Sequence, residues 1–276
     1  EATKEGRHIN WDKILDFILS YIDRKEFWKN KLMVEPKTAG LKATYAWVIG
    51  SLSSLIMAGI ENELYPLELF EKTENILLLI LNNLEYETKE EISDYMFYAL
   101  NTPLGQTLQS YIRLVLKTIQ VTKEKPVQQD GFTKFKAKFD ELLKKNAIEA
   151  YVWLGGYLPG LYYLDKEWVK EKIAFLEGIK HTPQWEAFMS GYLFGNMVHK
   201  EIYKLMKEHY KSSINYKFKS TESIKNLIAH ISLAYLHGEE SLEPSSLFYK
   251  IMEEFNTDYI KEIIRFFWRQ AQYLQE

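Results

Sequence analysis

Twice in this chain a threonine, a proline and a helical run of apolar residues follow one another. Thr102-Pro103 precedes Leu104, Leu108, Tyr111, Ile112, Val115, Leu116 and Ile119; Thr182-Pro183 precedes Trp185, Phe188, Met189 and Tyr192. The threonine hydroxyl can accept a free N–H of the first turn, and a proline in that turn gives up an N–H that has no helical partner anyway. The apolar residues recur three and four positions apart, the period of one helix face. This device predicts helices with defined starts. The stretch His181–Tyr210 reads as two short helices joined by a corner at Gly195-Asn196. Its second run puts Val198, Ile202, Leu205 and Met206 on one face and Lys200, Lys204, Lys207 and Glu208 largely on the other. Neither helix can bury its stripe alone, so the pair is expected to be one layer of a stack.

The rest of the chain repeats the pattern. Asn10 caps a stripe of Trp11, Ile14, Leu15, Ile18, Tyr21 and Ile22, and Pro66 opens a helix carrying Phe70, Ile76, Leu77, Ile80, Leu81 and Leu84. Asp165 caps the helix of Trp168, Ile173, Phe175 and Leu176, closed by Gly178, and Pro159-Gly160 is expected to stop the apolar run from Ala147 to Leu158. Thr221 starts a helix that Gly238 ends, and two more follow, over 244–255 and from Asn256 onward. No run of alternating β-branched residues asks for a sheet. The fold class is therefore all-α, about a dozen helices in stacked antiparallel pairs, an irregular α-solenoid of the TPR or HEAT kind without a strict sequence period. VTKEKPVQQDG, residues 121–131, lacks apolar periodicity and reads as a loop. It separates an N-terminal lobe, 1–120, from a C-terminal lobe, 132–276, or interrupts one continuous array.

Composition narrows the function classes. Hydrophobic residues at 46% and charged residues at 26% suit a folded globular chain, and 15% aromatics supply large contact surfaces. A net charge of −3 with a pI near 6.2 gives no global attraction to nucleic acid or anionic membrane. Cysteine is absent, which removes disulfides and thiolate chemistry and suits a reducing cytoplasm. A start at Glu1, with no signal-peptide pattern, reads as a piece of a longer polypeptide. The uncharged run 43–60, ATYAWVIGSLSSLIMAGI, approaches spanning length, but its Thr, Ser and Gly content and lack of basic flanks make it a buried helix.

No chemistry-bearing constellation emerges. There is no phosphate-binding glycine loop, and Gly155-Gly156 lies inside a helical run, where close helix packing explains it. His8, His181, His199, His209, His230 and His237 include no pair at metal-binding helical spacing. No serine sits in a nucleophile elbow. No cofactor, metal or catalytic residue is implied, and an enzyme would need a deep pocket with convergent polar groups. The one feature with functional colour lies between Lys200 and Lys219. Six lysines there face only Glu201 and Glu208, interleaved with Tyr203, Tyr210, Tyr216 and Phe218. Lys204, Lys207, Lys211, Tyr216 and Lys217 are the candidate ligand-binding residues. Basic-aromatic surfaces bind nucleic acid as well as acidic proteins, so a nucleic-acid-binding repeat is the alternative to a protein-binding or scaffold module. The absence of arginine from the run weighs against nucleic acid.

YALNTPLGQTLQSYI (98–112), GGYLPGLYYLDKEWVKEKI (155–173), TPQWEAFMSGYLF (182–194) and HISLAYLHGEESLEPSSLF (230–248) occur in this order. In that order they resemble the C-terminal helical regions of large bacterial anti-phage defence proteins of the STAND NTPase and sirtuin-effector kinds. The resemblance implies a non-catalytic sensor that binds a phage protein, with NTPase and effector domains upstream. It assigns no ligand-contacting position in this chain.

Overall fold

A computed structural model describes residues 9–29, 45–61, 65–85, 91–123, 130–195, 198–253 and 257–273. Among these there are sixteen α-helices, one 3-10 turn over Leu67–Leu69, and no strand. The all-α expectation holds, with helices packed against one another in a manner consistent with a helical-repeat fold. By their internal contacts the residues form two units, 1–90 with 97–153, and 91–96 with 154–276.

The first unit contains α1 (Trp11–Ile22), α2 (Lys25–Lys29), α3 (Tyr45–Glu61), α4 (Phe70–Asn83), α6 (Pro103–Thr122) and α7 (Asp130–Lys144), with most of α5 (Tyr95–Asn101) and the first two thirds of α8 (Ile148–Gly156). Its main packing partners skip along the sequence, since α3 lies chiefly against α6, and α4 against both α6 and α1. The α3–α6 seam is partly polar. Ser53 and Thr107 share a 2.8 Å hydroxyl hydrogen bond, and the Ser110 hydroxyl donates to the Ser53 carbonyl at 2.9 Å. These small side chains let two helices approach closely, and they explain why an uncharged, serine-containing helix belongs here. Its buried residues include Ile49, Ser53, Ile56 and Ile60, while Trp47 and Leu55 face outward. No helix among the described residues is long and apolar enough to cross a membrane.

Capping follows the sequence. Asn10, Thr102, Asp165 and Thr182 each accept a backbone N–H from three residues on. Gly238, at φ 74°, ends its helix in the left-handed region that glycine occupies without strain. Of the loop expected over 121–131, α6 extends through Thr122 and α7 already begins at Asp130; residues 124–129 lie outside the described residues. The contacts group α7 with the first unit.

The second unit contains α9 (Leu158–Leu164), α10 (Lys166–Gly178), α11 (Pro183–Phe194), α12 (Lys200–Leu205), α13 (Lys207–Ser213), α14 (Thr221–Leu236), α15 (Leu247–Glu253) and α16 (Thr257–Tyr273). Two expectations change here. Pro159 does not stop a helix but sits in the first turn of α9, where its missing N–H is harmless. The run after Val198 is not one helix but two, broken at Met206, which has non-helical backbone angles and a fully buried side chain. Breaks of this kind raise the helix count above the dozen expected.

Candidate functional site

The second unit is built around α11. Nine consecutive residues, Trp185 to Leu193, are buried, so it is a central helix rather than an amphipathic one. Gly155 of α8 meets it backbone to backbone: an added Cβ would lie 2.6 Å from the Tyr192 nitrogen and closer still to the Phe188 carbonyl oxygen. Close helix packing is therefore the role of this glycine, as its place in a helical run suggested.

Polar side chains around α11 are engaged in three networks. At its N-terminal end, His181 stacks on Tyr216 with ring centroids 5.1 Å apart, and Trp185 meets both rings edge-on. The Tyr216 hydroxyl donates to Glu186 at 2.9 Å, and the Lys219 backbone N–H donates to the same buried carboxylate at 2.6 Å. Burial and the Glu186 charge push the Tyr216 phenol upward, so it stays a donor. The Trp185 indole N–H donates to Nδ1 of His209 at 2.9 Å. That bond fixes the proton of the neutral imidazole on Nε2, which is buried without a hydrogen-bond partner among the described residues. Burial, with help from Lys180, pushes His209 down to about 4.

Further along, His230 is held at both nitrogens. A carbonyl only accepts, so Nε2–H donates to the Gly195 oxygen, and Nδ1 lies 2.9 Å from the Tyr210 hydroxyl. Burial pushes His230 down to about 4, which makes the ring neutral. The Tyr210 hydroxyl donates to that of Tyr192 at 3.0 Å. Burial raises both tyrosines. Tyr192, Tyr210, His230 and Gly195 thus form one continuous run of polar contacts.

The third network centres on Glu240, whose side chain is completely covered. It receives the Lys207 ammonium, the Tyr203 hydroxyl at 2.7 Å, the Ser246 hydroxyl at 2.7 Å and the Leu247 backbone N–H at 2.6 Å. Desolvation works to raise its carboxyl, but the four donors outweigh it and hold the group below its ordinary value. The adjacent Glu239 pairs with Lys200 at 2.6 Å and lies 3.8 Å from Lys204.

These networks redistribute the candidate binding residues. Lys207 is committed to Glu240, and Tyr216 is a half-buried part of the cage over Trp185. Lys204 and Lys211 remain mostly exposed, at 63% and 56%, with long contacts to Glu239 and Glu208. Lys217 is exposed and makes no ion pair among the described residues. The local basic excess is smaller than the sequence suggests, because the turn after α14 brings in Glu239 and Glu240 from outside the stretch. His209, His230, Glu186 and Glu240 are the polar residues that sequence reading missed. Helical spacing offered a signal for the histidines: His209 follows Ile202 and Met206 on one face, and His230 follows Ser223 and Leu227. For Glu240 there was none.

Between α14 and α16 runs a groove of about 440 Å³ with His230 in its lining. Its carboxylates Glu222 and Glu262 each pair with a base on their own helix, Lys225 at 2.9 Å and Arg265 at 2.8 Å. No group of three His, Asp or Glu side chains suited to a metal ion occurs among the described residues. Comparison with known proteins returns no matching family model, curated protein or solved structure.

Proposed function

We propose that this chain is a non-catalytic protein-recognition module whose binding face is the outer side of α12, α13 and the segment through Lys217. The observation that carries the reading is the division of labour on this ridge. Ile202, Tyr203, Met206 and Tyr210 are buried beneath it, whereas Lys204, Lys211 and Lys217 project outward. A face of mobile cations on a well-anchored base suits an acidic protein surface, for which charge complementarity sets specificity and association rate. Lys207 and Tyr216 then support the ridge from below. Glu201, Glu208 and Glu239 interleave with the lysines, an arrangement that favours a patterned protein surface over a polyanion.

The sensor role implied by the resemblance to anti-phage defence proteins belongs to the same proposal, with a phage protein as ligand and the cytoplasm as setting. The test pairs thermal melts with binding measurements against purified phage structural proteins. Charge reversal at Lys204, Lys211 and Lys217 together should abolish binding with the melting temperature nearly unchanged. Normal binding by that variant, with loss only in destabilised core variants, would place recognition elsewhere.

A further inference from the structure

The first unit holds a half-open cavity of about 370 Å³ between α4, α6 and α7. Its lining joins the apolar Phe70, Leu114, Val115 and Phe132 to the polar Glu71, Thr118 and Lys134. Into it points Glu74, a carboxylate in a side chain only 8% exposed. One of its oxygens accepts the Tyr111 hydroxyl at 2.9 Å; the other has no hydrogen-bond partner among the described residues. Gly131, near the start of α7, leaves the space for this arrangement, since an added Cβ would sit 3.0 and 3.3 Å from the two carboxylate oxygens.

Of the other buried carboxylates, Glu149 likewise has one side-chain donor, the Thr102 hydroxyl at 2.8 Å, whereas Glu240 and Glu186 are better compensated. Glu240 has an ammonium and three further donors, and Glu186 has two donors. Among the described residues Glu74 has one neutral donor, Tyr111, and no paired cation. A buried carboxylate so sparsely compensated is stabilised by any cation that reaches it. Lys134 and Glu71 line the same cavity, but neither pairs with Glu74, and Thr118 spends its hydroxyl on the Leu114 carbonyl at 2.8 Å. Phe70, Leu114, Val115 and Phe132 supply the hydrocarbon and aromatic part of the lining beside this open acceptor.

We propose that this cavity binds a primary alkylammonium group on a short apolar stem, the ammonium on Glu74 and the stem against Phe70, Leu114, Val115 and Phe132. The volume is at the lower end for small-ligand sites and suits a stem of lysine length. Aromatic walls add to the attraction for a cation. The proposal is independent of the lysine ridge.

Calorimetry and NMR titration of the full chain with pentylamine test it, with uncharged 1-pentanol as the control of equal length. Pentylamine should bind saturably and at least tenfold more tightly than 1-pentanol. Glu74→Gln, which keeps the volume and an acceptor for Tyr111, should weaken pentylamine binding at least tenfold. Thr118→Trp, at a half-exposed lining position, should block it without touching the carboxylate, and serves if the Gln variant fails to fold. Nα-acetyl-lysine methylamide and 1,5-diaminopentane then separate the two sources of the group, a peptide lysine and a free polyamine. Equal binding of pentanol and pentylamine, or unchanged pentylamine binding in a folded Glu74→Gln or Thr118→Trp variant, overturns the proposal. So does the absence of saturation at about 20 mM amine, well above the millimolar range expected for so small a ligand.

Discussion

Replacing Gly155 by alanine sets two physical effects against each other. In a helix interior, Gly→Ala gains about 1 kcal/mol from backbone entropy alone, so a sequence-only argument expects stabilisation. The contact with α11 argues the reverse. The new Cβ would lie 2.6 Å from the Tyr192 nitrogen, whereas ordinary van der Waals contact begins at 3.4 Å, and the obstructing atoms are backbone, which cannot swing aside. The two helices must separate by most of an ångström. A gap of that size forfeits roughly a quarter to a half of each dispersion contact across the seam, and overpacking of this kind costs about 3 kcal/mol. Net of the propensity gain, the variant should lose about 2 kcal/mol. Gly178→Ala is the control, since it too is helical, at the end of α10, and nothing lies within 4 Å of its added Cβ. The assay is urea unfolding followed by circular dichroism, and by tryptophan fluorescence for the burial of Trp185. Should Gly155→Ala prove as stable as the parent or more so, the close approach of α8 and α11 is wrong.

Acid should weaken the second unit before its carboxylates titrate. His209 and His230 have an ordinary value of 6.5 and are pushed down to about 4 in the fold, so the unfolded chain binds more protons between those values. The stability they confer is complete above pH 6.5 and is lost as pH falls toward 4; a urea midpoint that stays flat over that window would contradict the buried neutral rings. Below about pH 4.5 the lowered carboxyl of Glu240 adds to the loss in the same direction. Glu240→Ala leaves the Tyr203, Ser246 and Leu247 donors without their acceptor while Lys207, 39% exposed, turns to solvent, and should cost about 3 kcal/mol, read from the urea midpoint; a loss under about 1 kcal/mol would show the network to be dispensable. Trp185→Ala should cost ~3–5 kcal/mol by cavity formation and loss of the His209 hydrogen bond, checked by thermal melting.

Helix identity and helix starts were legible in the sequence because they depend on neighbours three and four residues apart. Asn10, Thr102, Asp165 and Thr182 cap as their positions announce, and Trp185, Phe188 and Tyr192 are buried as their spacing requires. Local patterns can also mislead, since Pro159 after an apolar run suggests a stop although a proline fits a first turn equally well. The candidate site was legible only as a charge density. Whether a lysine there is free or spent depends on residues distant in sequence: Lys207 meets Glu240 across 33 positions, and Tyr216 meets Glu186 across 30. The same holds for Glu74, left with one donor because Tyr111, 37 residues away, is its sole hydrogen-bonding partner among the described residues. Short-range periodicity thus determined which segments are helices and which faces turn inward. Tertiary packing alone decided which polar groups are compensated, because burial and hydrogen bonding are properties of the space between helices and leave no mark on the spacing within one.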